Sequence, residues 1–142
     1  MNQVEVFGGP AKEREIAEAA VHWCLKKLLP RVRTLSIELK LSNCSAMGYC
    51  LCTDNHKTFE LEIQKGMKLY DLISTICHEM VHVKQYYRKE LAHQGVEHTW
   101  KNRLHKNTDY MDQPWEKQAF KLEEKLALEC FKEIDVNLNK VR

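Results

Sequence analysis

The chain has 142 residues, with 22 basic and 20 acidic side chains and a formal charge of +2. That length suits one domain spanning 1–142 that buries its own core, and so even a charge balance excludes a strong field for nucleic acid or for acidic substrates. No segment approaches a membrane span, and Met1 to Pro10 has neither a charged lead nor a long apolar run, so a soluble cytoplasmic protein is expected.

Gly8-Gly9-Pro10 opens the first predicted helix, in which Ile16, Ala20, Trp23, Cys24 and Leu28 recur at helical spacing until Pro30. Three strands follow. Leu35, Ile37, Leu39 and Leu41 alternate with polar residues; Met47, Tyr49 and Leu51 alternate with Ala46, Gly48 and Cys50; Phe59, Leu61 and Ile63 alternate within Thr58 to Gln64. Asp54-Asn55-His56 is a turn signal that makes the last two strands a hairpin. After Gly66 a second helix runs from Leu69 to about Arg88. Periodicity is then lost from Leu91 to Gln113, with a short ribbon possible around Val96 to Leu104. A last helix begins at Asp112-Gln113-Pro114, where Asp can cap and Pro suits the first turn, and extends to about Ile134. The fold class is α+β.

The six cysteines form no Cys-x-x-Cys pair, which fits reduced thiols rather than a disulfide framework. Cys44, Cys50 and Cys52 cluster in sequence, either as a second metal site or as small half-buried strand residues. Cys77 falls on the apolar side of its helix and is expected to pack.

The chemistry concentrates in His78-Glu79-Met80-Val81-His82. On a helix this spacing stacks two imidazoles one turn apart with a carboxylate between them, the pattern of a zinc site that carries its own general base. At about 100° per residue, Leu69, Leu72, Ile73, Ile76, Met80 and Val83 form one apolar face. The opposite face collects Asp71, Thr75, His78, Glu79, His82, Gln85 and Tyr86.

A catalytic zinc ion commonly takes three protein ligands and keeps one position for water. A third histidine in the metzincin position is absent, because Gln85 and Arg88 stand where Gly and His would be. Glu116 is favoured instead. It falls on the inward stripe of the last helix with Ala119, Phe120, Leu126, Ala127, Cys130, Phe131 and Ile134, where a lone carboxylate needs a partner. His98, His93 and His105 are the alternatives. Glu123, two turns further along the same stripe, is placed to accept a hydrogen bond from a ligand imidazole.

With Pro114-Trp115-Glu116-x-x-Ala119-Phe120 on a later helix, the motif resembles the gluzincin group of zinc metallopeptidases. The stretch from His78 to Glu123 is more closely similar to small phage and microbial proteins of the minimal gluzincin and SprT-like kind. The resemblance implies a minimal zincin-like fold: an N-terminal helix, a small three- to four-stranded sheet, an active-site helix and a C-terminal glutamate helix. It also implies one zinc ion on His78, His82 and Glu116, Glu79 as catalytic base, a protein or peptide substrate, and host cytoplasm for a phage-encoded chain. Gluzincins often carry an acidic residue where this chain has Phe120, so support for the ligands would come from Glu123 or Asp71.

Tyr110, His105 and Tyr86 are candidates to stabilise an oxyanion. Substrate is expected along Thr58 to Gln64 as an exposed edge strand, with Glu60 and Glu62 at its rim. Two other functions remain open. One is a SprT-like protease acting on DNA-associated proteins, with Lys84, Arg88, Lys89, Lys101, Arg103 and Lys106 near phosphates; the other is a zinc-stabilised binding module without catalysis.

Overall fold

A computed structural model describes residues 1–140 apart from 45, 54, 95, 96 and 107, and omits the side chains of 93, 94 and 136–140. Among the described residues it is an α+β structure of three α-helices, a four-stranded mixed sheet and a three-stranded antiparallel sheet. In chain order the elements are β1 (Gln3–Gly8), α1 (Ala11–Leu28), β2 (Ser36–Ser42), β3 (Gly48–Cys52), β4 (Thr58–Gln64), α2 (Leu69–Tyr87), β5 (Leu91–Gln94), β6 (Glu97–Trp100), β7 (Arg103–His105) and α3 (Pro114–Lys140).

The larger sheet has the order β1-β2-β4-β3. β1, β2 and β4 are parallel, and β3 folds back antiparallel on β4 through a turn in which Asn55 Oδ1 accepts the N–H groups of Lys57 (2.9 Å) and Thr58 (3.0 Å). Ile37, Leu39 and Leu41 of β2 and Phe59, Leu61 and Ile63 of β4 are buried on one face, as their alternation requires. Against them pack Ile16, Ala20, Val21 and Cys24 of α1 and Leu72, Ile73, Ile76 and Met80 of α2 in one core cluster. Cys77 belongs to this interior, its Sγ 3.7 Å from that of Cys24.

Three expectations are corrected. β1 carries no predicted strand, yet Gln3 to Gly8 pairs in parallel with Ser36 to Leu41. It is an edge strand whose two half-buried valines, Val4 and Val6, are too short an alternation to stand out. Gly8, at φ +76°, ends it where a Cβ would lie 2.3 Å from the Leu41 carbonyl oxygen.

The strand Thr58 to Gln64 is not an edge. It lies between β2 and β3, so β3 is the open edge on that side, and Glu60 and Glu62 alternate onto the face away from the core. Glu62 is occupied there by Ser42 Oγ (2.6 Å) and the Tyr49 hydroxyl.

The segment from Leu91 to Gln113 is largely ordered by backbone pairing. β5, β6 and β7 form a meander, and a 3-10 turn at Tyr110–Asp112 leads into α3. Of the ribbon expected around Val96 to Leu104, Val96 lies outside the described residues and the remainder falls on β6 and β7.

α2 is more central than one amphipathic face implies. Its second face is covered as well, leaving His78, Glu79 and His82 at 7, 6 and 6% exposure and Gln85 at 0%. The covering comes from α3, which runs antiparallel to α2: as α2 numbers fall from His78 through Ser74 to Tyr70, their partners rise from Glu116 through Glu123 to Phe131. Trp115, Ala119, Leu126, Ala127, Cys130 and Ile134 carry the buried stripe of α3, and the helix backbone runs on past Ile134 to Lys140. No helix among the described residues is long and apolar enough to cross a membrane.

Candidate metal centre

His78 and His82 sit four residues apart on α2, so their rings project from successive turns, with centroids 5.0 Å apart. Glu116 arrives from the first turn of α3. Pro114 starts that helix with a preset φ, and the Gln113 carbonyl accepts the N–H groups of Glu116 (3.1 Å) and Lys117 (3.0 Å). The positive end of the helix also favours a carboxylate at this position.

The three side chains converge through one atom each. Glu116 Oε1 lies 2.9 Å from His78 Nε2 and 3.1 Å from His82 Nε2. One donor atom from each residue lies within 4.8 Å of the others, and all three residues are buried. Two imidazole nitrogens and a carboxylate oxygen suit zinc or another first-row divalent ion. Such donors around a tetrahedral zinc ion stand about 3.3 Å apart, so small adjustments would accommodate it. His78, His82 and Glu116 form a group that could hold a metal ion.

Their electrostatics are mutually reinforcing. Burial opposes charge on His78, but the hydrogen bond to Glu116 and the nearby carboxylates of Glu123, Glu79 and Glu116 outweigh it and raise its pKa to about 9. Burial likewise opposes charge on Glu116, and the two imidazoles hold its carboxyl down at about 2. Glu79 is pushed above the ordinary carboxyl range, chiefly by burial, with the histidine charges working against the rise. It makes no hydrogen bond with the described residues, unlike its neighbours on the motif.

The supporting residues divide unequally. Glu123 Oε2 stands 3.5 Å from His78 Nδ1, in ion-pair range but off the line of a hydrogen bond, so that Nδ1 lacks a hydrogen-bond partner among the described residues. Asp71 makes no hydrogen bond to either histidine; it is exposed at the rim of the cavity, and its backbone carbonyl accepts the Thr75 hydroxyl. Phe120 packs its ring 4.6 Å from that of His78. The support that sequence spacing did not single out is Gln85. Its Oε1 lies 2.7 Å from His82 Nδ1, and its Nε2 donates to the Trp115 carbonyl oxygen (3.0 Å) and to Gln118 Oε1 (2.9 Å).

The alternative ligands lie elsewhere. His98 stacks on Trp115 with centroids 5.0 Å apart, and His105 meets the same ring edge-on at 5.4 Å, its Nδ1 3.5 Å from Thr108 Oγ1. Neither belongs to a three-donor group among the described residues, and the His93 side chain lies outside those residues. The same holds for Cys44, Cys50 and Cys52 as a second site: no such group includes them, and Cys44 Sγ lies 3.6 Å from Ser42 Oγ.

Among Tyr110, His105 and Tyr86, Tyr110 has a hydrogen bond to the three-residue group. Its hydroxyl donates to Glu116 Oε1 at 3.1 Å, whereas His105 is held by Trp115 and Tyr86 is buried against Phe59. A cavity of about 330 Å³ lies on one side, reaching from Met47 and Asp71 to Glu123, and one of about 270 Å³ lies on the other, reaching to Leu91 and His98. Both are lined by Gly48, His78, Glu79 and Tyr110, so the centre opens into a groove beside β3.

The basic residues near the meander are partly engaged. Lys84 Nζ donates to Glu90 Oε1 at 2.7 Å, Lys106 stands 4.0 Å from Glu97, and Lys101 lies over the Trp100 ring. No family model, curated protein or solved structure matches the chain.

Proposed function

We propose that the chain is a zinc-dependent peptidase of minimal-gluzincin type, with a zincin-like arrangement of its helices and sheet. The observation that carries this reading is the juxtaposition of the buried His78, His82 and Glu116 donors with Glu79, an acid raised by burial and unbonded among the described residues, in a groove beside an open strand edge. A purely structural site has no use for such a carboxylate between its histidines.

When bound, zinc supplies a nucleophilic water near neutral pH and polarises the scissile carbonyl. Glu79 takes a proton from the attacking water on its carboxylate and delivers it to the leaving nitrogen, a transfer its raised affinity for protons assists. The Tyr110 hydroxyl, beside Glu116, is the donor at hand for charge developing on the carbonyl oxygen.

β3 binds the substrate in extended form. Gln64 N–H donates to Met47 O (2.8 Å) and Thr53 N–H to Thr58 O (3.0 Å), so by the alternation of antiparallel pairs Tyr49 and Leu51 also face β4. The N–H and C=O groups of Gly48 and Cys50 then point away from β4, and both residues line the groove. A peptide laid there would add a strand to the sheet.

The direct test is digestion of an unfolded protein by the zinc-loaded chain, with products identified by mass spectrometry. Cleavage at internal peptide bonds, lost on chelation and restored by zinc, is expected; no cleavage by protein holding stoichiometric zinc would overturn the reading. The role of β3 has its own check. Cys50→Pro removes an N–H that the sheet does not use, so stability should change little. kcat/KM for an extended peptide should fall roughly three- to tenfold, the loss of one hydrogen bond, as measured by steady-state kinetics alongside thermal melting.

A further inference from the structure

We infer that Gln85 is the positioning residue of this centre: one buried amide fixes the tautomer of His82 and, through the same group, the approach of Glu116. This rests on His78, His82 and Glu116 being a metal site. The deduction starts from the Trp115 carbonyl oxygen, which can only accept. It stands 3.0 Å from the Gln85 amide, so the nitrogen end of that amide must face it. The oxygen end is thereby turned toward His82, 2.7 Å from Nδ1. An amide oxygen only accepts, so Nδ1 must carry a hydrogen. Nε2 faces Glu116 Oε1 at 3.1 Å, a contact that calls for a hydrogen there as well; when a metal ion takes the place of that hydrogen, the one left on the ring is on Nδ1 and the lone pair is on Nε2. That is the tautomer a metal requires.

The other end of the amide works on the third ligand. Its two donors go to Trp115 O and Gln118 Oε1, which bracket Glu116 in the first turn of α3. With Gln85 fully buried, no solvent competes for these bonds. Ligands from two different helices are held in register by one side chain, a task that an outer carboxylate commonly performs for metal-binding histidines.

The test compares the full-length chain with Gln85→Leu, which removes both acceptor and donors at similar volume, and Gln85→Glu, which keeps an acceptor toward His82. Zinc affinity is measured by competition with a chromophoric chelator, and the His82 tautomer by imidazole ¹⁵N shifts. Gln85→Leu is expected to bind zinc about 10- to 100-fold more weakly and to lose the pure Nδ1–H signature. Gln85→Glu is expected to keep that signature and to bind zinc more tightly than Gln85→Leu. A merely structural role would lower the melting temperature of both variants and leave affinity and tautomer unchanged, which would overturn the inference. Should Gln85→Leu not fold, loss of the Nδ1–H signature in Gln85→Glu would overturn it instead. Failure of the wild-type chain to bind zinc would defeat the metal reading, whereas the ¹⁵N shifts would still decide whether Gln85 holds a hydrogen on Nδ1.

Discussion

Glu79→Gln is expected to lower peptide hydrolysis by about 10²- to 10⁴-fold while zinc content and fold stay as in the wild type. The substitution is nearly isosteric and removes only the capacity to accept and return a proton. Glu79 is 6% exposed and makes no hydrogen bond with the described residues, so no network is broken by the change. The measurement is initial rate on one peptide substrate, with metal content and circular dichroism on the same samples. Equal rates in both proteins would remove Glu79 from the mechanism. Absence of activity in both, with zinc present, would leave a metal-stabilised binding module.

Glu116→Ala should release the metal and weaken the fold at once. The truncation removes one of the three proposed ligands and leaves the Nε2 atoms of His78 and His82 without the carboxylate that now lies 2.9 and 3.1 Å away. Beyond metal loss, stranding buried polar atoms costs about 1–3 kcal/mol. Zinc stoichiometry by elemental analysis and a urea titration in chelator separate the two effects. Stoichiometric zinc retained by Glu116→Ala would transfer the third position to His98 or His105, beside Trp115.

Much of this centre is legible in the sequence because its signals are local. The spacing of His78 and His82 fixes their shared helix face, and the stripe from Glu116 to Ile134 fixes which side of α3 turns inward. Glu123 could be placed near His78 for the same reason. The meander could not. Its β6–β7 turn has Lys101 at φ +50° and Asn102 at φ +69°, a left-handed pair usually announced by Asn-Gly or Asp-Gly, which this chain lacks there. The interior position of β4 is not legible either, because alternation reports which face of a strand is buried and says nothing about its neighbours. Gln85 escaped notice for a related reason: its importance lies in a carbonyl 30 positions away at Trp115. Its place on the histidine face is the one hint that the sequence offers.

The division of the donors between α2 and α3 has a topological consequence. His82 and Glu116 are 34 positions apart, and β5, β6, β7 and the 3-10 turn all lie between them. An ion held by both helices acts as a clasp on that loop, shrinking the conformational space open to the unfolded segment as a covalent cross-link would. The meander, which supplies no ligand to the group, would thereby owe part of its order to the metal, and the supply of zinc would govern the persistence of one wall of the groove as well as its chemistry.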